Sequence, residues 1–281
     1  MNDLLVLTKV RLNSLVVFTT AGGYYMGATG PIHPLWMLNA CIGTALVASG
    51  AAAFNQIHER ELDGMMERTR NRPMVQGRLG LTEANGWAYG LSILGVVMLA
   101  AGTNVMAASL ALATLLLYVW VYTPLKTRTS LATVVGAVPG ALPPMIGWAA
   151  SHGSVELASW SLFVIMFLWQ MPHFLAIAWM YREDYARAKM PMLPVIDTDG
   201  IVTGRQSVIY AAALVPASVL PMAFGLAGRS YGVGALVLGI ILTIVAMIFA
   251  AKRSRDNARM LFMSSIMYLP LLLILMAATR R

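Results

Sequence analysis

The feature that most constrains this sequence is a succession of apolar runs, each about twenty residues long, separated by polar connections. An α-helix needs ~20 apolar residues to cross a bilayer, so each run matches one crossing. The mean hydropathy is +0.70 and only 11% of the residues are charged, against ~25% in an ordinary soluble domain. The composition excludes a soluble fold, and we expect an all-α polytopic membrane bundle around a central cavity.

Nine transmembrane helices are predicted from these runs, in a single domain that covers residues 1–281. Their expected bounds are 12–30, 34–57, 84–101, 105–124, 130–150, 157–181, 206–228, 230–251 and 260–279. Two connections are long, 58–83 after the second helix and 182–205 after the sixth. This spacing predicts two four-helix halves plus a ninth helix.

The basic residues predict how the chain is oriented. Of the 20 lysines and arginines, 17 fall on the side of the two long loops, and only Arg229, Arg280 and Arg281 fall on the other. The positive-inside rule then places the N-terminus in the cytoplasm and the C-terminus outside. The net charge of +8 is explained by the positive-inside placement of lysine and arginine and by their contact with anionic membrane lipid. We therefore expect no nucleic-acid partner. Because no transit peptide or cleavable signal is evident, the expected location is a bacterial inner membrane.

The stretch FNQIHERELDGMMERTRNRPMVQGR, residues 54–78, interrupts the apolar pattern. Asn55, Glu59, Asp63 and Glu67 recur in it every four residues. On a helix this spacing places all four side chains on one face. Five arginines accompany them, namely Arg60, Arg68, Arg70, Arg72 and Arg78.

This acidic face has two interpretations from the residues alone. One is a solvated helix end that pairs with nearby arginines. The other is an Mg²⁺ site, because Mg²⁺ takes carboxylate and amide oxygens and completes its shell with water and substrate phosphate. Zinc is not expected, because Cys41 is the single cysteine and Leu62 breaks an HExxH motif that would begin at His58.

Two later stretches carry further candidate residues on the same side. In YTPLKTRTS, Lys126 and Arg128 are either positive-inside anchors or ligands of a pyrophosphate. In MPHFLAIAWMYREDYARAKMPMLPV, Glu183 and Asp184 would form a second acidic site opposite the first. His173 lies inside the sixth predicted helix, where it is either a hydrogen-bonded structural residue or an iron ligand.

Together these stretches resemble the UbiA superfamily of intramembrane prenyltransferases. The segment NQIHERELDGMMERTRNRP is similar to the asparagine-and-acidic signature of that superfamily. The later motifs QGR, YTPLKTRT, PPMIGWAA, PHFLAIAW and EDYxxAxxPMLPV, with LTKxR near the start, narrow the resemblance to its haem-farnesylating branch. The resemblance runs from about residue 7 to the last predicted helix. One departure is Lys189, which stands where that branch usually has glycine.

The resemblance implies transfer of farnesyl from farnesyl diphosphate to a vinyl group of haem B, with addition of water, giving haem O and pyrophosphate. It implies Mg²⁺ as the cofactor. The residues implied to hold Mg²⁺ and act in catalysis are Asn55, Glu59, Asp63 and Asp184. Those implied to bind the diphosphate are Arg68, Arg72, Lys126 and Arg128. Those implied to contact haem are His173 and His58.

Other expectations concern the allylic cation and the partners of the protein. The rings of Trp148, Trp169 and Tyr122 are candidates to stabilise a farnesyl cation. A downstream haem-modifying enzyme or a terminal oxidase is an expected partner by resemblance only. Two alternatives stay open. One is a UbiA-type enzyme that prenylates an aromatic quinone precursor. The other is a non-catalytic haem or lipid transporter, which would not need acidic pairs clustered with arginines in two loops.

Overall fold

The structure is a computed structural model that describes residues 2–281, apart from the side chain of Arg11. Its helices are α1 (Asn2–Leu7), α2 (Val10–Gly27), α3 (Pro34–His58), α4 (Arg60–Met65), α5 (Leu81–Gly102), α6 (Val105–Leu116), α7 (Thr123–Leu125), α8 (Ala132–Gly140), α9 (Pro143–His152), α10 (Leu157–Met180), α11 (Arg182–Arg187), α12 (Leu193–Ile196), α13 (Ile201–Ala223), α14 (Arg229–Ala251) and α15 (Arg255–Ala278). A π-helical turn, Leu117–Tyr122, joins α6 to α7. The prediction of an all-α membrane bundle is confirmed.

Eight helical segments within the described residues are long and apolar enough to cross a membrane. They are Pro34–His58, Leu81–Gly102, Val105–Leu125, Ala132–His152, Leu157–Met180, Ile201–Ala223, Arg229–Ala251 and Arg255–Ala278. The predicted count of nine is not confirmed. The first predicted span, 12–30, corresponds to α2, an 18-residue helix that is not among these eight. The sequence of α2 includes Arg11, Asn13, Thr19 and Thr20, which lower its mean hydropathy.

Glycines allow α2 and α9 to cross at close range. A Cβ added at Gly147 would lie 1.9 Å from the carbonyl oxygen of Thr20. A Cβ added at Gly23 would lie 1.9 Å from the carbonyl oxygen of Pro144. Only glycine permits backbones to approach this closely, as is common where helices pack in membranes. This crossing fixes α2 against the middle of the bundle.

Proline divides the fifth predicted span, 130–150, into α8 and α9. Pro143 and Pro144 open α9, where a missing amide proton and a fixed φ suit the first helical turn. The chain turns between Gly140 and Pro143, and α9 is buried along almost its whole length. The fifth predicted span is therefore two helices that meet at a break rather than one continuous helix.

The two long loops contact each other, as their predicted position on one side of the bundle requires. Met66 in the first loop and Met190 and Met192 in the second form one buried apolar cluster. The helical part of the first loop ends at Met65, and Glu67 is exposed in the turns beyond it. The prediction that Glu67 shares the helical face of Asn55 is therefore wrong, because the helix ends before reaching it.

Candidate functional site

Asn55, Glu59 and Asp63 form a continuous ladder of oxygen-bearing side chains. The amide of Glu59 donates to the carbonyl of Asn55 at 2.9 Å, and that of Asp63 donates to Glu59 at 2.7 Å. The helical hydrogen-bond pattern therefore continues from α3 into α4, and the three side chains lie on one face. All three are buried. The predicted shared face is confirmed for these three residues.

Two cations pair with the carboxylates of this face. Lys126 Nζ lies 2.7 Å from Glu59 Oε1, and Arg72 Nη1 lies 2.5 Å from Asp63 Oδ2. Burial by itself would raise the pKa of Glu59, but the Lys126 ammonium, together with Lys9 and Asn55, outweighs it and holds this pKa below its usual value. For Asp63 burial is the stronger effect, so its pKa is raised despite the Arg72 guanidinium.

Lys9 is a further site residue, to which the sequence reasoning assigned no role. It lies between α1 and α2 in a left-handed conformation, with φ of 49°. Its Nζ donates to Asn55 Oδ1 at 2.9 Å. Burial, together with the charges of Arg72 and Lys126, lowers the pKa of Lys9 to about 7. The LTKxR motif was the only sequence signal for this residue, and it does not indicate which side chain Lys9 meets.

Asp184 lies against the first loop. Its Oδ1 and Oδ2 accept from the backbone amides of Glu67 and Arg68 at 3.2 and 3.4 Å, and Arg187 forms an ion pair with Oδ1. Asp184 is therefore joined to the loop that carries Asp63, as a second acidic site opposite the first would require. Within residues 2–281 there is no cluster of three or more acidic, histidine or cysteine side chains arranged to hold a metal.

The donor set nevertheless fits a hard divalent cation. Asp63 Oδ1 is buried and has no hydrogen-bond partner among the described residues. A buried, unpaired carboxylate oxygen is costly, and binding of a cation is one physical reason for such an atom to persist. The amide oxygen of Asn55 and the carboxylate of Glu59 stand on the same face, and oxygen donors of these kinds suit Mg²⁺.

The remaining predicted diphosphate ligands differ in their surroundings. The guanidinium of Arg68 lies 5.0 Å from the ring centre of Tyr181 and 3.5 Å from the hydroxyl of Tyr185. Arg128 is exposed, and its side chain has no partner in the described part of the chain. The structure therefore brings Lys126 and Arg72 onto the acidic face, while Arg68 lies beside it and Arg128 points to solvent.

The π-helical turn Leu117–Tyr122 positions the residues that lead to Lys126. Such turns are rare, and they occur frequently at functional sites. The ammonium of Lys126 lies 4.6 Å from the ring centre of Tyr122. The side-chain amide of Asn55 donates to Thr123 Oγ1 at 3.4 Å, and this hydroxyl donates to the carbonyl of Tyr118 at 2.9 Å. Nothing in the sequence pattern predicted the π-helical turn.

Both candidate haem-contacting histidines have one ring nitrogen engaged. His58 Nδ1 donates to the carbonyl of Phe54 at 2.7 Å. His173 Nδ1 lies 2.8 Å from Ser265 Oγ, whose own proton goes to the carbonyl of Phe262 at 2.6 Å. Nδ1 of His173 must therefore be the donor. In both residues Nε2 has no partner among the described residues, and its lone pair could bind iron.

The other aromatic candidates lie in the packed interior. The ring of Trp169 stacks on His173 with ring centres 4.9 Å apart, and its Nε1 donates to the carbonyl of Ser265 at 2.7 Å. Trp148 is buried, and its Nε1 has no partner in the described residues. Of the three predicted rings, Tyr122 is the one that contacts a cation of the acidic face.

A cavity of about 590 Å³ lies between α3, α5 and α6. Its walls include Phe54, Ile57 and His58 from α3, together with the exposed Trp120. On a helix, Phe54 and Ile57 point away from the face of Asn55 and Glu59, whereas His58 lies at the border of that face. The cavity therefore lies beside the acidic face, and the exposed Trp120 stands at its edge.

The site combines a buried acidic face with three surrounding cations inside a bundle of membrane helices. The sequence profile described as the UbiA prenyltransferase family matches residues 15–266. This chain belongs to the UbiA prenyltransferase family.

Relatives that match this chain over nearly its full length are named protoheme IX farnesyltransferase. The protoheme IX farnesyltransferase of Solibacter usitatus is 46% identical over an alignment of 289 positions, which covers 100% of this chain and 99% of that protein. The protoheme IX farnesyltransferase of Koribacter versatilis is 42% identical and covers 98% of this chain and 92% of that protein. As a UbiA prenyltransferase, the chain is therefore an enzyme, and its relatives match it over nearly its full length.

Solved structures agree on the fold. One of them was solved in a study of digeranylgeranylglyceryl phosphate synthase. It superposes on this structure with a TM-score of 0.82 at 17% sequence identity, and the match covers 99% of this chain and 97% of that chain. A UbiA homolog from Archaeoglobus fulgidus bound to GPP and Mg²⁺ has a TM-score of 0.64 at 14% identity, covering 98% of this chain and 99% of that one. At these identities the likeness establishes the UbiA fold alone.

Proposed function

We propose that this enzyme transfers the farnesyl group of farnesyl diphosphate to a vinyl group of haem B, adding water, to give haem O and pyrophosphate. The observation that carries the chemistry is the buried Asn55–Glu59–Asp63 face with its unpaired Asp63 oxygen. The choice of haem as acceptor is supported by relatives of 40–46% identity that are named protoheme IX farnesyltransferase.

Asn55, Glu59, Asp63 and Asp184 are the proposed residues that hold Mg²⁺. When bound, Mg²⁺ would neutralise the diphosphate and favour its departure as a leaving group. The carboxylates are buried, so their charges act in a medium of low dielectric, where they attract a divalent cation strongly. Support for a metal also comes from the Archaeoglobus fulgidus homolog with GPP and Mg²⁺.

Lysine and arginine side chains are the proposed diphosphate ligands. Negative charge builds up on the diphosphate as the allylic C–O bond breaks, and fixed cations lower the barrier by meeting that charge. Lys126 and Arg72 border the acidic face directly. Arg68 and Arg128 are proposed to complete the set from the flanking loops. A guanidinium can bind two phosphate oxygens at once, and an ammonium binds as a compact charge.

The acceptor side of the reaction uses different residues. The vinyl group would attack the allylic carbon, water would add to the resulting porphyrin-side cation, and a proton would leave. Tyr122 is the ring best placed to stabilise the allylic cation, because it already holds an ammonium at 4.6 Å. His173 and His58 are the proposed haem contacts through Nε2. Trp148 and Trp169 are proposed to line the interior.

The enzyme is proposed to lie in a bacterial inner membrane with its N-terminus cytoplasmic, its C-terminus outside and the acidic face at the cytoplasmic end of the bundle. The uneven distribution of lysine and arginine supports this orientation. One domain of two four-helix halves plus a further helix is the proposed organisation. Haem O would then pass to a downstream haem-modifying enzyme or a terminal oxidase.

The test is an assay of the purified protein in detergent with haem B, farnesyl diphosphate and Mg²⁺. Mass spectrometry of the extracted haem should show a hydroxyethylfarnesyl side chain in place of one vinyl group. If haem stays unmodified while an aromatic quinone precursor is prenylated, that precursor is the acceptor and the proposal of haem is wrong. If no acceptor reacts and the diphosphate stays intact, the transporter alternative is favoured.

A further inference from the structure

Two stacked rings of α10 are held by a single residue of α15. Trp169 and His173 lie four positions apart on α10, and their ring centres are 4.9 Å apart. The carbonyl of Ser265 accepts from Trp169 Nε1 at 2.7 Å, and Ser265 Oγ accepts from His173 Nδ1 at 2.8 Å. The ring of Phe262 also lies 4.9 Å from that of His173. Because Trp169 and Ser265 are both buried, the imidazole is fixed in position from two helices.

The second ring nitrogen of His173 is left available. Ser265 Oγ donates its own proton to the carbonyl of Phe262 at 2.6 Å, so the proton of the imidazole is on Nδ1 and Nε2 carries a lone pair. Nε2 has no partner among the described residues and is not one of their buried unpaired atoms, so it borders space that a ligand can enter. Histidines that bind metals commonly have this arrangement, with one nitrogen held by a hydrogen bond and the other free.

The surroundings of His58 are different. His58 is exposed, and its Nδ1 bonds to the carbonyl of Phe54 in its own helix. Within residues 2–281, no other helix forms a hydrogen bond or a ring contact with the imidazole of His58. His173 also lies at a suitable depth for an apolar macrocycle. It is seven residues before Met180, the end of α10, which places it about 10 Å inside the bundle from the loop of Asp184.

We propose that His173 Nε2 is the axial ligand of the haem iron and that Ser265 is the positioning residue that keeps this nitrogen unprotonated and correctly oriented. Iron ligation allows the site to select its acceptor, because a porphyrin without a metal offers nothing for the Nε2 lone pair to bind. The site therefore prefers haem B to metal-free protoporphyrin IX, and this preference depends on the hydroxyl of Ser265. The inference rests on haem as the acceptor in the proposed function.

The test compares the affinities of haem B and protoporphyrin IX for the full-length enzyme in detergent, by absorbance and fluorescence titration. The wild type should bind haem B more tightly. Ser265→Ala should weaken haem binding by about tenfold or more, as loss of a residue that orients a metal ligand commonly does. It should leave protoporphyrin binding unchanged. Electron paramagnetic resonance of bound ferric haem should show one species in the wild type and a mixture in Ser265→Ala, because the ring is no longer held in one tautomer.

Two further substitutions at Ser265 separate the hydroxyl from the packing. Ser265→Thr keeps the hydroxyl and should retain the haem affinity of the wild type. Ser265→Cys fills the same space with a weak acceptor, so it should lose haem affinity as Ser265→Ala does, and it replaces that variant if alanine proves unstable. Ser264→Ala is the matched control, because the side chain of Ser264 forms no hydrogen bond in the described part of α15.

The proposal is wrong if the wild type binds both porphyrins equally, or if the Ser265 variants weaken both to the same extent, since the latter would assign Ser265 to packing alone. The outcome is distinct from that of the proposed function. Haem binding that depends on Ser265, without transfer of farnesyl, would refute the proposed reaction and support the ligand assignment. Conversion of haem B to haem O with an affinity that ignores Ser265 would do the reverse.

Discussion

Lys126 Nζ lies 2.7 Å from Glu59 Oε1, and this ion pair joins the end of one membrane span to the acidic face that follows another. A lysine that served only as a positive-inside anchor would point to lipid headgroups. Lys126 instead points inward, over the ring of Tyr122. The pair therefore places a phosphate-binding type of cation beside the oxygens of a candidate metal site.

Because α2 and α9 cross at close range, one added methyl group at the crossing should destabilise the protein strongly. Gly147→Ala would force its Cβ to 1.9 Å from the carbonyl oxygen of Thr20, so the two helices must separate. Overpacking of this kind costs about 1–3 kcal/mol or more. The temperature at which the purified protein aggregates in detergent should fall clearly. Gly86→Ala is the control, because no atom lies within 4 Å of its added Cβ. An equal loss in both variants would contradict the described crossing.

Replacing Lys189 by glycine should stabilise the protein. Its φ is 53°, in the left-handed region, and it follows the end of α11. The amides of Lys189 and Met190 donate back to the carbonyls of Ala186 and Tyr185, which is the Schellman pattern that glycine usually completes. Lys189→Gly should therefore stabilise the protein by about 1 kcal/mol. Lys189→Ala should show no such gain in thermal stability. A gain from alanine equal to that from glycine would remove the backbone explanation.

The histidines predict a measurable change in haem binding. Because Nδ1 of His173 is committed to Ser265, a bound iron would use Nε2. His173→Ala should weaken haem affinity by about tenfold or more, as loss of metal-site residues commonly does. Absorbance titration of the detergent-solubilised protein measures this affinity. His58→Ala tests the second candidate in the same way, and His33→Ala is the control at the far end of α3. Unchanged affinity in His173→Ala would refute direct contact by that residue.

Local periodicity accounts for what the sequence could predict. Asn55, Glu59 and Asp63 are four residues apart on one helix, so their spacing alone brings them together. Lys126 was predicted on the same side because it ends an apolar run. The extension of the acidic face to Glu67 failed, because the stop at Met65 is set by the loop's tertiary contacts rather than by residue spacing.

Long-range contacts account for what the sequence could not predict. Lys9 reaches Asn55 across 46 positions from a left-handed backbone conformation. The partners of Asp184 are backbone amides of the other loop, which carry no sequence signature. Helical geometry places His58 at the border of the acidic face, but the cavity that it lines depends on how α5 and α6 pack beside α3.

The most direct test of the central claim is turnover by Asp63→Asn, with Asp256→Asn as a control on an exposed carboxylate of α15. Asparagine keeps the size of the side chain and removes its charge, so folding should be retained while the metal loses its buried carboxylate. The measurement is pyrophosphate release together with the mass of the extracted haem. The account predicts loss of both products in Asp63→Asn and normal turnover in Asp256→Asn. Wild-type turnover in Asp63→Asn would contradict the assignment of this face as the catalytic site.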